Sequence, residues 1–241
     1  SIDNDNYFLE SDYIYCTVVN SRQDGLVIKV IEPGIERKPA AGALVTVHHA
    51  YPRNNGYGEY MEYEELWYGH ADMNGVVIIP GTVATSGNDY FVTAKGNEPS
   101  FVYYATVRAP SIVEIDSSNS CNTVIEAKDL NGAPLAGAHV LVELLESNIP
   151  GSTTPDRVID FGNYSEYRDY NISTVATLDS DGEANIYLTK GRYNIRVIRN
   201  STGLSGSSPY SYYLFNYGVD INTDNTTITF APQQQNIAIL N

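Results

Sequence analysis

The chain has 241 residues, 42% of them hydrophobic, which is enough to bury two cores of ordinary size. Acidic residues outnumber basic ones 29 to 14, and the resulting formal charge of −15 repels nucleic acid and anionic lipid. The chain has no run of about 18 apolar residues, so neither membrane insertion nor an anchor is expected. Tyrosine is the compositional outlier, 20 against 6 Phe and 1 Trp. Its apolar ring and polar tip suit strands with one wet face. The chain begins at Ser1 with no basic, apolar leader, and the expectation is an exported chain whose signal peptide has been removed.

In chain order, residues 1–25 read as an N-terminal extension and candidate donor strand. A polar start, Ser1–Asn6, precedes two apolar β-forming runs, Tyr7-Phe8-Leu9 and Tyr13–Val19. Module one, 26–108, shows short runs with strand composition at 26–32, 43–51, 60–68, 75–79, 89–95 and 101–108. Residues 109–121 contain one short strand and a polar Ser/Asn run, and read as a linker. Module two, 122–231, shows runs near 122–128, 138–145, 172–178, 183–188, 192–199, 210–216 and 226–230. A last apolar run, Asn236–Leu240, lies in a C-terminal segment, 232–241, behind a Pro-Gln-Gln-Gln spacer. No helix-period stretch exceeds two turns, so the expected class is all-β, two tandem Ig-like sandwiches with extra terminal strands.

The two modules share a pattern. Lys38-Pro-Ala-Ala-Gly-Ala-Leu-Val-Thr-Val47 matches Ala133-Pro-Leu-Ala-Gly-Ala-His-Val-Leu-Val142. Each is followed by a turn, Asp72-Met-Asn-Gly75 or Asp179-Ser-Asp-Gly182, and then by a strand opened by Tyr90 or Tyr193. The order and spacing mark one unit used twice. With Asn131-Gly132 ahead of the second motif and Thr189-Lys-Gly-Arg-Tyr193 behind it, the pattern resembles the prealbumin-like sandwich of Cna-B-type and carboxypeptidase-regulatory-like modules. That resemblance implies the fold and a role as spacer, stalk or subunit of a surface structure. It does not imply the family's Lys–Asn isopeptide bond in module two, where Ala127 fills the lysine position, His139 the acidic position, and the last strand carries no Asn. Module one has Lys29 on its first strand but no clear Asn on its last.

Catalytic chemistry is not expected. Gly203-Leu-Ser-Gly-Ser207 has its second Gly misplaced for a nucleophile elbow, and Glu64-Glu65 lies in a polar stretch. His48 and His49 are adjacent on a strand and point to opposite faces, so with His70 and His139 they read as structural histidines. The Asp72–Gly75 and Asp179–Gly182 segments read as hairpin turns rather than calcium loops, because the alternating ligands and the distal Glu are missing. No cofactor is expected, calcium being the weaker alternative. Cys16 and Cys121 form an even pair and are expected to bond to each other, a bridge worth about 4–5 kcal/mol in the chain-entropy model. Sequons at Asn163, Asn171, Asn200 and Asn225 are glycosylation candidates, about the number chance would give.

The surplus apolar segments at both ends carry the functional reading. Each could pair within its own module, Tyr13–Val19 forming a hairpin with 26–32. Alternatively, one is donated to an edge of the next subunit, building a filament head to tail with the chain itself as partner. The assembly residues are then Tyr7, Phe8 and Leu9, with Ile237 and Ile239 as the C-terminal alternative. A monomeric spacer, adhesin or carbohydrate-binding module is the competing reading.

Overall fold

The computed structural model describes residues 5–6, 19–20, 24–54, 56, 59–150, 159–160, 175–199, 211–230 and 238–240. Among these residues the only helical element is a 3-10 turn, Ser117–Asn119. At the N-terminus β1 (Asp5–Asn6) pairs antiparallel with β2 (Val19–Asn20). The first repeat follows as β3 (Asp24–Val30), β4 (Leu44–Asn54), β5 (Glu59–His70), β6 (Val76–Pro80), β7 (Asp89–Asn97), β8 (Ser100–Arg108) and β9 (Ser111–Ile115). One layer runs β6-β3-β9, with β9 parallel to β3; the facing layer runs β5-β4-β7-β8.

The second repeat reuses this order. Its strands are β10 (Ser120–Ala127), β11 (His139–Ser147), β12 (Ile159–Asp160), β13 (Ala176–Thr177), β14 (Glu183–Thr189), β15 (Gly191–Arg199), β16 (Ser211–Ile221) and β17 (Thr226–Phe230), followed by β18 (Ala238–Leu240). The β14-β10-β17 layer repeats β6-β3-β9, again with the last strand parallel to the first, and β11-β15-β16 repeats β4-β7-β8. This is the prealbumin-like order twice over.

Local chemistry explains the elements. In β10 burial alternates strictly, turning Cys121, Thr123, Ile125 and Ala127 inward. The turns are closed by aspartates whose side chains replace missing backbone acceptors. Asp72 Oδ1 accepts the N–H groups of Asn74 and Val76 at 2.8 and 2.9 Å, and Asp179 Oδ1 accepts those of Asp181 and Glu183 at 2.9 and 3.0 Å. Gly75 and Gly182 follow at φ 74° and 75°. A Cβ there would sit 2.5 Å from the Val30 carbonyl or 2.6 Å from the Ala127 carbonyl, so each turn requires glycine twice over.

The two repeats are not beads on a string. β8 pairs in parallel with β14, matching Phe101 to Tyr187 and Val102 to Leu188. One seven-stranded sheet therefore runs β17-β10-β14-β8-β7-β4-β5 through both repeats. Its two faces serve different cores. Phe101 and Tyr103 belong to the first core and Tyr187 packs against it, whereas Val102, Tyr104, Phe91 and Leu188 belong to the second.

Several expectations are corrected. Residues 109–121 are not a free linker: Ser111–Ile115 is the last strand of the first repeat and Ser120 already belongs to β10, leaving Asp116–Asn119 as the connection. The reason is that β3 needs a parallel neighbour on its second edge. Both edges of β3 are consequently filled, by β6 and β9; residues 13–18, the first arm of the alternative hairpin with 26–32, lie outside the described residues. The C-terminal run does pair with its own repeat: β18 adds to the edge of β16.

Candidate assembly edges and the joint between the repeats

Strand edges and the joint are the features of this fold that could engage a partner. The joint begins with β8, whose Phe101-Val102-Tyr103-Tyr104 run is at most 2% exposed. Four consecutive large apolar residues mean a strand covered on both faces. The Tyr104 hydroxyl donates to the Lys190 carbonyl and lies 3.0 Å from the Ser147 hydroxyl, tying β8 to the loop and strand of the other repeat. The Thr189 hydroxyl donates to the Val102 carbonyl at 3.4 Å, and the Tyr193 hydroxyl donates to the Thr189 carbonyl at 2.5 Å. Burial pushes the Tyr104 phenol up and the Tyr193 phenol well above its ordinary range, so both stay neutral donors. Ring stacking of Phe91 on Tyr104, with centroids 5.6 Å apart, fills the second core from the first repeat's side.

Among the described residues, the shared sheet ends in β5 on one side and β17 on the other. β5 carries Glu59, Glu62, Glu64 and Glu65 in sequence, and charge on an edge strand discourages pairing. Glu64 is exposed; Glu65 is half-buried, and burial pushes its carboxyl up. β17 has no charged residue, only Thr226, Thr227 and Thr229 alternating with the buried Ile228 and Phe230. The second layer of repeat two ends in β18. At the start of the connection, Arg37 bridges Glu114 of β9 and Asp116, the latter at 2.9 Å, and Lys29 Nζ lies 3.8 Å from Glu114 Oε2.

The remaining expected residues fall as follows. Cys121 is a free, buried thiol; Cys16, and with it the expected Cys16–Cys121 bridge, lies outside the described residues. Burial pushes the Cys121 thiol up, away from its reactive form. Asn225 is exposed at φ 59° in the turn before β17, and its sequon Thr227 is exposed too. Asn163, Asn171 and Asn200 lie outside the described residues, as do Tyr7, Phe8, Leu9 and Ile237; Ile239 lies in β18. His48 is 1% exposed, with Nε2 2.8 Å from the Thr46 hydroxyl, and burial pushes its pKa down to about 4. His49 instead faces Tyr90, ring centroids 5.4 Å apart, and His70 Nδ1 lies 3.0 Å from the Gly42 carbonyl. His139 Nδ1 is 3.4 Å from the Thr177 hydroxyl. Among the described residues no group of three or more His, Cys, Asp or Glu could hold a metal ion. No helix among them is long and apolar enough to cross a membrane. Ala127 is a core residue, and Lys128 instead bridges Glu126 at 2.5 Å. Sequence reasoning missed the joint, although the unbroken apolar run in β8 signals it.

No family model and no curated protein matches this chain. Solved structures that resemble it include the shaft pilin SpaA from Lactobacillus rhamnosus GG, at 11% identity and a TM-score of 0.26, over 88% of this chain and 99% of that one. The Streptococcal ancillary pilin is similar at 15% identity and a TM-score of 0.23, over 87% of this chain and 63% of that one. The SpaE basal pilin from Lactobacillus rhamnosus GG is similar at 12% identity and a TM-score of 0.23, over 82% and 86%. At these TM-scores the likeness carries no weight of its own; the fold rests on the strand order.

Proposed function

We propose that this chain is a secreted structural subunit of an extracellular filament, joined to its neighbours head to tail by strand addition. The observation that supports it best is the shared sheet. Main-chain pairing and a common core, rather than a flexible linker, hold one repeat on the other. Such a unit transmits tension without hinging, which is what a fibre subunit needs. Two further features favour the reading: β17 offers an uncharged sheet edge, and apolar β-forming segments lie outside both repeats. The N-terminal segment is the favoured donor, since Tyr7, Phe8 and Leu9 can pair and bury side chains; donation would release the β1–β2 pairing of Asp5–Asn6 with Val19–Asn20.

The experiment is deletion of residues 1–11, read by circular dichroism and sedimentation velocity. The expected result is a folded monomer that no longer forms fibres, and fibres formed as readily as before would remove the N-terminal donor. The competing reading, a monomeric spacer or carbohydrate-binding module, is favoured by one observation: β18 covers the β16 edge from within the same chain. A native chain that stays monomeric at high concentration would establish that reading instead.

A further inference from the structure

Asparagine followed by glycine is the pair in which the next backbone nitrogen can attack the side-chain amide, because glycine puts no side chain in the way. The chain has three such pairs, Asn55-Gly56, Asn74-Gly75 and Asn131-Gly132. Asn55 lies outside the described residues. The other two sit in turns of one design, Asp72-Met73-Asn74-Gly75 and Asp129-Leu130-Asn131-Gly132. In each, the aspartate Oδ1 accepts the N–H of the asparagine and that of the residue after the glycine. In each, the glycine N–H donates to the aspartate carbonyl, at 2.9 Å for Gly75 and 3.0 Å for Gly132, with φ at 74° and 80°.

The surroundings of the two turns differ. Gly75 is buried against the end of β3. Its carbonyl accepts the Val30 N–H at 2.8 Å, and a Cβ built on it would lie 2.5 Å from the Val30 carbonyl and 3.0 Å from the Ala40 nitrogen. Asn131 and Gly132 are both exposed, and a Cβ on Gly132 would have nothing within 4 Å. For the attack, the glycine nitrogen must leave its turn bond and move onto the asparagine Cγ. Gly132 has open space in which to do so. Gly75 must also give up its bond to Val30 and open the end of β3, a local unfolding with its own free-energy cost.

We propose that Asn131 is a site of non-enzymatic modification, converted to aspartate and isoaspartate, and that the fold protects Asn74 from the same reaction. The Gly132 nitrogen gives its proton to solvent and bonds to Asn131 Cγ. The Cγ–Nδ2 bond breaks, the nitrogen takes a proton from solvent and leaves as ammonia, and a succinimide ring closes. Water then opens the ring, at Cγ to give aspartate or at the Asn131 main-chain carbonyl to give isoaspartate. The sum is one water consumed and one ammonia released, with no change of oxidation state. The loop gains a carboxylate two residues from Asp129. The isoaspartate form also lengthens the main chain inside the loop that the Asp129 N–H closes on the Ala133 carbonyl at 2.8 Å. This end of the second repeat is then the place where an already acidic chain gains charge with age. The proposal is independent of the filament reading.

The test is incubation of the full chain in mildly alkaline buffer, native and unfolded in urea, followed by peptide mapping with mass spectrometry that separates aspartyl from isoaspartyl forms. Each asparagine is read as the ratio of its native rate to its unfolded rate, which removes the effect of neighbouring side chains. The ratio for Asn131 should exceed that for Asn74 about tenfold or more, the rate equivalent of about 1.4 kcal/mol of extra opening at Gly75. Equal ratios, a larger ratio for Asn74, or a native Asn131 that stays intact while its unfolded counterpart converts would overturn the proposal.

Discussion

The outward face of β4 and β7 in the first repeat can be set against the same face of β11 and β15 in the second. The first holds His48, Phe91 and Thr93; the matching positions in the second are Glu143, Asn194 and Arg196. In the first repeat these side chains are buried and neutral: the Thr46 and Thr93 hydroxyls bond each other, His48 bonds Thr46, and Phe91 lies in the second core. In the second repeat Arg196 bridges Glu143, whose other oxygen accepts from Asn194 at 3.2 Å. The backbone is one design, and neighbouring structure decides what stands on it. A charge on an outer face that becomes part of another core carries a large desolvation penalty unless it is partnered, and Lys95, on the same face as Phe91 and Thr93 and 8% exposed, is the buried cation there; a face outside both cores holds a pair at lower cost.

The largest expected effect tests whether the inner faces are truly equivalent. Ile79 and Ile186 lie four residues beyond the two turn glycines and are both fully buried. Ile79→Ala and Ile186→Ala should each cost about 2–5 kcal/mol, with similar shifts in urea midpoint. A cost confined to one of them would break the equivalence.

The outer faces should differ in their response to pH. His48 has a folded pKa of about 4, below the ordinary 6.5, so between those values the unfolded chain binds more protons. Stability from this group is complete above pH 6.5 and is lost as pH falls towards 4, by at most about 3 kcal/mol. His48→Gln should flatten the difference between urea midpoints measured at pH 7 and pH 4.5. An unchanged pH dependence would mean that His48 is not held neutral.

Smaller effects sharpen the comparison at the turns and the joint. Gly75→Ala and Gly182→Ala should each cost about 2 kcal/mol, since both force a side chain into positive φ against a carbonyl. Tyr104→Phe, which takes one hydroxyl out of the joint, should cost about 1 kcal/mol in thermal unfolding. Tyr90→Phe removes a hydroxyl that bonds only within the first repeat, to Thr85, and should leave hydrogen exchange in β14 unchanged, whereas Tyr104→Phe should raise it.

Much of this architecture was legible in the sequence because it is local. The Pro-Ala-Ala-Gly-Ala and Pro-Leu-Ala-Gly-Ala motifs, the Asp-x-x-Gly turns and the tyrosine-opened strands fall at matching places in both repeats, and strand alternation placed most elements. What escaped was pairing between strands distant in sequence. Nothing near Ser111–Ile115 says that it closes the first repeat by lying parallel to β3. Nothing near Leu188 says that it meets Val102. The burial of β8 on both faces was written in Phe101–Tyr104, but which partner covered its second face was not. Of the candidate assembly residues only Ile239 has a described position, in β18 opposite Tyr212 of β16, a place the composition of the tail does not specify.

Whether this chain is a filament subunit is decided by negative-stain electron microscopy of the native protein over a range of concentrations. A filament subunit gives filaments of uniform width that lengthen with concentration and disappear when residues 1–11 are removed. Monodisperse single particles at every concentration would show that it is not one.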